Sequence, residues 1–361
     1  MLDDKCFKKE WIGLHGAALG CRNPVMLEKA IVAFQLLGSL AESGIPFQFK
    51  GGTSLLLRLN PLRRLSIDVD IVTQASPDML RRVLDDVAGA KPFISYLHDS
   101  KRDGESPPKK HYKVSYPSAV ESKNDHILLD VLFEQEGPPG CELVLIRVPF
   151  IEPLREVTVA VPTVNHLLGD KLTAFAPETI GILYHPDRNV DIVKQLFDVG
   201  VLFDAASDLC EVATAYDYMH KKQLGYRKKS YTLSDTLSDT MNAAFTYSQP
   251  GLRGGMSSPH ADLMQAGVKR LQNHLLNLPF AQTEARIAAA KAACLAAWLQ
   301  HRPPGMTFSS LRFSLDTAAD VLRDKRILAP WGPLDRLKGG NPEAFHYWHQ
   351  AQQILRSRGG E

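Results

Sequence analysis

Apolar residues recur at three- and four-residue spacing through LEKAIVAFQLLGSLAESG, after Asn23-Pro24, and the run stops at Gly44. This spacing predicts an amphipathic helix closed by glycine. FQF then reads as a short strand, GGTSLLLRL as a strand-to-helix turn, and SIDVDIV as a strand alternating with period two. PDMLRRVLDDVAGA returns to helical spacing. Past a polar loop rich in Pro and Lys over 99–110, HYKVSY, HILLDVLFEQ, ELVLIRVPF and EVTVAV read as four further strands. After Pro162, VNHLLGDKLTAFA and NVDIVKQLFDVGVLFD are helical, and from about Ser207 to the end the pattern is helix or loop, punctuated at SQPGLRGGMSSPH, HRPPG and LKGGNP. The pattern predicts an α/β (α+β) domain over residues 1–205 and a helical C-terminal domain over 206–361, with the boundary near Phe203–Ser207. The echo TLSDTLSDT from Thr232 is too short for a structural repeat.

Composition narrows the class without choosing a function. With 361 residues, 44% hydrophobic and 23% charged, the chain is globular and long enough for two or three domains. A formal charge of +2 neither demands nor excludes a nucleic-acid partner, so only a local basic patch could argue for one. The five cysteines are scattered, odd in number and free of any C-x-x-C pair, which fits reduced thiols better than disulfides or zinc. MLDDKCFKKE does not read as a signal peptide, and no apolar run approaches the roughly 18 to 20 residues of a membrane span. These features imply a cytoplasmic protein with no membrane partner.

The chemistry concentrates between Lys50 and Thr73, in KGGTSLLLRLNPLRRLSIDVDIVT. On a strand, Asp68 and Asp70 share one face while Ile67, Val69 and Ile71 share the other. Two close carboxylates repel unless a cation sits between them, and Mg²⁺ with hard oxygen ligands is the common solution. Upstream, Gly51 and Gly52 let backbone N–H groups approach an anion at the start of a helix, and Thr53 adds a hydroxyl donor. Arg64 and Ser66 precede the acidic pair, Ser66 on the same strand face as Asp68. Each piece alone has a bland reading as a turn or a solvated strand face; helix-opening glycines followed by R-x-S-x-D-x-D are a phosphate cradle beside a metal site.

GGT followed by RLSIDVD resembles the first motif of the nucleotidyltransferase superfamily that includes DNA polymerase β, and in detail its AbiEii/AbiGii toxin branch, the MenT-like toxins. The resemblance covers residues 25–205 and implies a polymerase-β-like mixed sheet with flanking helices. It implies further that the glycines hold a triphosphate, that the D-x-D binds Mg²⁺, and that a third carboxylate on a neighbouring strand completes the metal set. Asp130 in ILLDVLF is the candidate for that third acid, and an edge-strand residue facing solvent is its alternative reading. D-K-L-x-A (Asp170, Lys171, Leu172, Ala174) and K-x-L-x-D (Lys194, Leu196, Asp198) resemble later segments of the same branch. By that resemblance Lys171 reaches the NTP phosphates and Asp198 works with it or positions the acceptor. Gln195 stands where the branch often has an acid, so only Asp198 carries over. A surface helical salt bridge, contributing about 0.3 to 0.5 kcal/mol, is the alternative for Lys171 and Asp198.

Lys113 and Lys50 read equally as cleft residues or as solvated strand positions, and His346 and His349 as exposed histidines without a third metal ligand. The aromatics of AFHYWHQ read as packing or a contact surface. KKQLGYRKK, residues 221–229, sets five Lys/Arg around a tyrosine, suiting a phosphate backbone or simply a solvated helix end. Together these features predict a Mg²⁺-dependent nucleotidyltransferase moving NMP from an NTP to an acceptor hydroxyl. By resemblance the acceptor is a tRNA 3′ end, and the protein the toxin of a toxin–antitoxin pair with an AbiEi-like, DNA-binding antitoxin as partner. A small-molecule or protein acceptor, and a non-catalytic nucleotide-binding protein, remain the competing readings.

Overall fold

The computed structural model describes residues 1–314 and 322–357, and residue packing divides the chain into two compact units. The first comprises Met1–Thr163 with Asn273–Leu278, and the second Val164–Gln272 with Pro279–Glu361. The sequence boundary near 203–207 marks where strand character has given way to helices, whereas packing divides the chain at Thr163. Helices Val164–Ala174 and Asn189–Ala205 each pack on later helices of their own unit.

In the first unit, strands β1 (Phe47–Lys50), β2 (Val69–Thr73), β3 (Ser95–His98), β4 (Gly104–Glu105), β5 (Pro108–Pro117), β6 (Asn124–Phe133), β7 (Cys141–Leu145) and β8 (Thr158–Pro162) form one mixed sheet. The order is β3-β5-β6-β2-β1-β8-β7, with short β4 pairing to β5. Helices α1 (Lys9–Leu19), α2 (Pro24–Glu42) and α3 (Pro77–Ala88) flank it. Asn23 caps α2 through its side chain, and Pro24 sits where a missing N–H costs nothing. Leu27, Ile31, Phe34 and Leu37 of α2 are buried in a core shared with Val69, Ile71, Leu129 and Val131. Among the described residues α2 alone is long and apolar enough to cross a membrane, which corrects the sequence expectation that no run is long enough. Two-thirds of its most apolar stretch (67%) is buried inside the protein, the behaviour of a core helix.

Two further expectations shift. The stretch 99–110 is not wholly loop: it holds β4 and the start of β5. SIDVDIV becomes strand only at Val69, because the residues before it are tied elsewhere. Leu65 N–H donates to the His274 carbonyl and Leu276 N–H to that of Arg63, so the returning segment Asn273–Leu278 braces the approach to β2.

In the second unit the described residues are helical or loop from 207 onward, as expected; residues 315–321 and 358–361 lie outside the description. Helices α4 (Val164–Ala174), α5 (Asn189–Ala205), α6 (Leu209–Arg227), α7 (Leu233–Ser248), α8 (Pro259–Leu271), α9 (Gln282–His301) and α10 (Pro342–Arg356) build it. Alanine-rich α9 is buried along nearly its whole length and packs on α5, α7 and α10.

Candidate active site

The sheet register aligns four polar residues across four adjacent strands. Lys50 on β1 is opposite Asp70 on β2, Asp70 is beside Asp130 on β6, and Asp130 is opposite His111 on β5. Residues paired in register on neighbouring strands lie about 4.5 to 5.5 Å apart. The parallel β2–β6 pairing therefore brings together two acids that are sixty positions apart in sequence.

Gly51 and Gly52 follow directly on β1. Gly51 has a φ of +78°, a left-handed conformation that favours glycine, and a Cβ there would fall on the Asp70 carboxylate. A Cβ on Gly52 would lie 2.7 Å from Ser66 Oγ and 2.9 Å from the Arg64 guanidinium. The structure thus brings Gly51 to Asp70, and Gly52 to Ser66 and Arg64, with bare backbone at the centre. The helical turn here is only Gly51–Ser54, continued by a 3₁₀ turn over Leu55–Leu57, so its dipole is small. Thr53 is buried and donates its hydroxyl to the Asp68 carbonyl at 2.5 Å, holding the chain just ahead of β2. Arg64 is buried as well, with one nitrogen donating to the Leu65 carbonyl at 3.1 Å.

Asp130 is held at both oxygens. His111 Nδ1 lies 2.6 Å from Oδ1, and Lys109 Nζ 2.8 Å from Oδ2. Burial pushes the Asp130 pKa up, but the Lys109 charge and the hydrogen bonds from Lys109 and His111 outweigh it, leaving the carboxyl below its ordinary value and ionised. Sequence reasoning singled out neither partner. The alternation Lys109-x-His111-x-Lys113 was the available signal, since these residues share one face of β5. Lys113 itself pairs with Asp99 at 2.9 Å, and that bond and its charge lower the Asp99 pKa.

The Asp70 carboxylate, a hard oxygen donor against a Gly51 backbone that leaves no room for a Cβ, fits Mg²⁺, and Asp68 two residues earlier offers a second donor of the same chemistry. The three-acid set with Asp130 is not assembled. Among the described residues no group of three His, Cys, Asp or Glu side chains is placed to hold a metal, and the oxygens of Asp130 are taken by the Lys109 ammonium and the His111 ring.

Lys171 on α4 and Asp198 on α5 belong to the second unit and pair there at 3.4 Å, with side chains 8% and 1% exposed. The surface salt-bridge reading is corrected, because the pair is buried. His346 and His349 are not exposed either: His346 Nε2 lies 2.9 Å from the Leu311 carbonyl, and burial together with nearby cations pushes the His349 pKa down to about 4. Phe345, Tyr347 and Trp348 beside them are buried packing residues. In 221–229, Lys221, Lys228 and Lys229 are exposed, while Arg227 donates to the Gly181 carbonyl at 2.8 Å.

A family model described as nucleotidyl transferase AbiEii toxin, type IV TA system, matches residues 35–279, more than half of the chain. Among solved structures, JHP933 from Helicobacter pylori is similar with 16% identity, TM-score 0.43, and coverage of 76% of this chain and 95% of that one. A putative nucleotidyltransferase from H. pylori gives 15%, 0.42, 76% and 98%. An antigenic nucleotidyltransferase-like protein from Paracoccidioides brasiliensis gives 14%, 0.35, 57% and 94%. No curated protein sequence matches.

Proposed function

Because the chain belongs to the AbiEii nucleotidyl transferase toxin family of type IV toxin–antitoxin systems, and is on that ground a nucleotidyltransferase, we propose that it moves NMP from an NTP to a hydroxyl of tRNA. The observation that carries this reading is the placement of Asp70 against Gly51 and in register with Asp130. A backbone cradle beside carboxylates is what positioning a triphosphate requires.

In the transfer, the acceptor oxygen forms a bond to the α-phosphorus as the bond from that phosphorus to the bridging oxygen breaks, and pyrophosphate leaves. Mg²⁺ held by Asp68 and Asp70 would neutralise charge on the phosphates. Gly51 and Gly52 offer backbone N–H groups to the triphosphate, with Ser66 and Arg64 closing one side. Thr53 keeps Asp68 in place from behind. Asp130, held ionised, would join Asp68 and Asp70 at the cation, and the proton of the attacking hydroxyl passes through its carboxylate to solvent. Lys171 and Asp198 carry the branch's second motif, and we assign them a supporting role in transfer. Residues 206–361 would serve acceptor or partner binding, with exposed Lys221, Lys228 and Lys229 suited to backbone phosphates. The setting is cytoplasmic, with an AbiEi-like antitoxin as cognate partner.

An acceptor screen tests the reading. Each α-labelled NTP is incubated with protein and Mg²⁺ against total tRNA, protein and small hydroxyl compounds. Label on tRNA supports the assignment; label on protein or a small molecule alone removes tRNA as acceptor.

A further inference from the structure

The two oxygens of Asp130 are bound by two different side chains, a histidine and a lysine. His111 is buried, 8% exposed at its side chain, on the strand directly hydrogen-bonded to that of Asp130. Lys109 is 30% exposed at its side chain and reaches Oδ2 from a flexible stem, two residues along the same strand. With Asp130 ionised, Oδ1 can only accept, so the bonded His111 nitrogen bears the proton. One partner is buried and the other reaches water.

We propose that His111 is a positioning residue for the transfer site: it fixes Oδ1 of Asp130, so that Oδ2 is the oxygen that gives up Lys109 when a divalent cation and nucleotide bind. This role rests on the transfer reading above. It accounts for why the three-acid set is not assembled here: Lys109 supplies the positive charge that the ionised carboxylate needs in a half-buried setting. It also assigns the two partners opposite effects on cation binding. His111 orients the carboxylate and favours binding, whereas Lys109 competes for it. Groups that orient a ligand in this way typically change metal affinity about 10- to 100-fold.

The test is Mn²⁺ affinity, measured by electron paramagnetic resonance without nucleotide, alongside kcat and KM for NMP transfer. His111→Ala weakens Mn²⁺ binding about tenfold and lowers kcat with nucleotide KM unchanged. His111→Asn, which keeps a donor near the Nδ1 position, restores most of both. Lys109→Met tightens Mn²⁺ binding. In an Asp130→Asn background, His111→Ala changes neither quantity further, because its effect runs through Asp130. If His111→Ala does not fold, His111→Gln, with its donor at the Nε2 position instead, replaces it throughout. Unchanged Mn²⁺ affinity in a folded His111 variant, full additivity with Asp130→Asn, or weaker binding in Lys109→Met overturns the proposal. If the wild type transfers no NMP, the transfer reading fails by itself, and the Mn²⁺ cycle still decides whether His111 acts through Asp130.

Discussion

Asp130 and Asp198 are both acids paired with a lysine, yet the two environments are nearly opposite. Asp130 lies on a strand with its lysine 30% exposed and a histidine sharing the load; Asp198 is 1% exposed between helices, with Lys171 almost as deeply buried. A pair open to solvent can exchange its cation at little cost, because water re-solvates whatever is released. A buried pair cannot, since removing one partner strands a charge in low dielectric. The first arrangement suits a residue that must meet a substrate, and the second a residue that also holds up its fold.

The largest effect that separates them is on stability. Lys171→Ala removes the ammonium beside buried Asp198 and should lower unfolding free energy by about 3 to 5 kcal/mol in denaturant titration. Replacing both, with Lys171→Met and Asp198→Leu, should recover much of that loss. Loss of transfer in Lys171→Ala alone therefore reports on folding as well as chemistry, and the double variant separates the two. Next comes Gly51→Ala, which forces a Cβ onto the Asp70 carboxylate at a left-handed φ of +78°. It should cost about 1 to 3 kcal/mol by the same titration and impair transfer.

Asp130→Asn should cost about 1 to 2 kcal/mol at pH 7. Its pH dependence has a definite sign. The native pKa is lowered, so the folded state takes up the proton less readily than the unfolded chain. The stabilisation is present above the unfolded value of about 4 and disappears as pH falls through the lowered native one, so the stability gap between wild type and Asp130→Asn should close as pH falls through that native value. Smallest is Lys113→Ala, which breaks the pair with Asp99, whose lysine is 35% exposed, and should leave the unfolding midpoint nearly unchanged. A large effect there would mean that exposure alone does not distinguish the pairs.

What could be read in the chain, and what could not, follows the same division between local and long-range structure. The helix at Pro24–Glu42 and the glycines at Gly51 and Gly52 are local patterns, set by capping, periodicity and backbone freedom. The D-x-D was legible as chemistry, but the late start of β2 was not, because it depends on residues 273–278 returning to pair with 63–65. Pro107 and Pro108 hid the beginning of β5, and with it Lys109, since proline reads as a break and is tolerated at a strand's first residue. The burial of Lys171 and Asp198 was likewise invisible: a Lys and an Asp on separate helices read as surface until the packing of α4 on α5 is known.

The central claim is that the acids beside the glycine cradle perform nucleotidyl transfer. Its most direct measurement is label transfer from α-labelled NTP to tRNA by wild type, Asp68→Asn and Asp70→Asn, each confirmed folded by circular dichroism and thermal melting. The account predicts transfer by the wild type and a loss of about 100-fold or more in both variants. Folded variants that transfer label at the wild-type rate would contradict it.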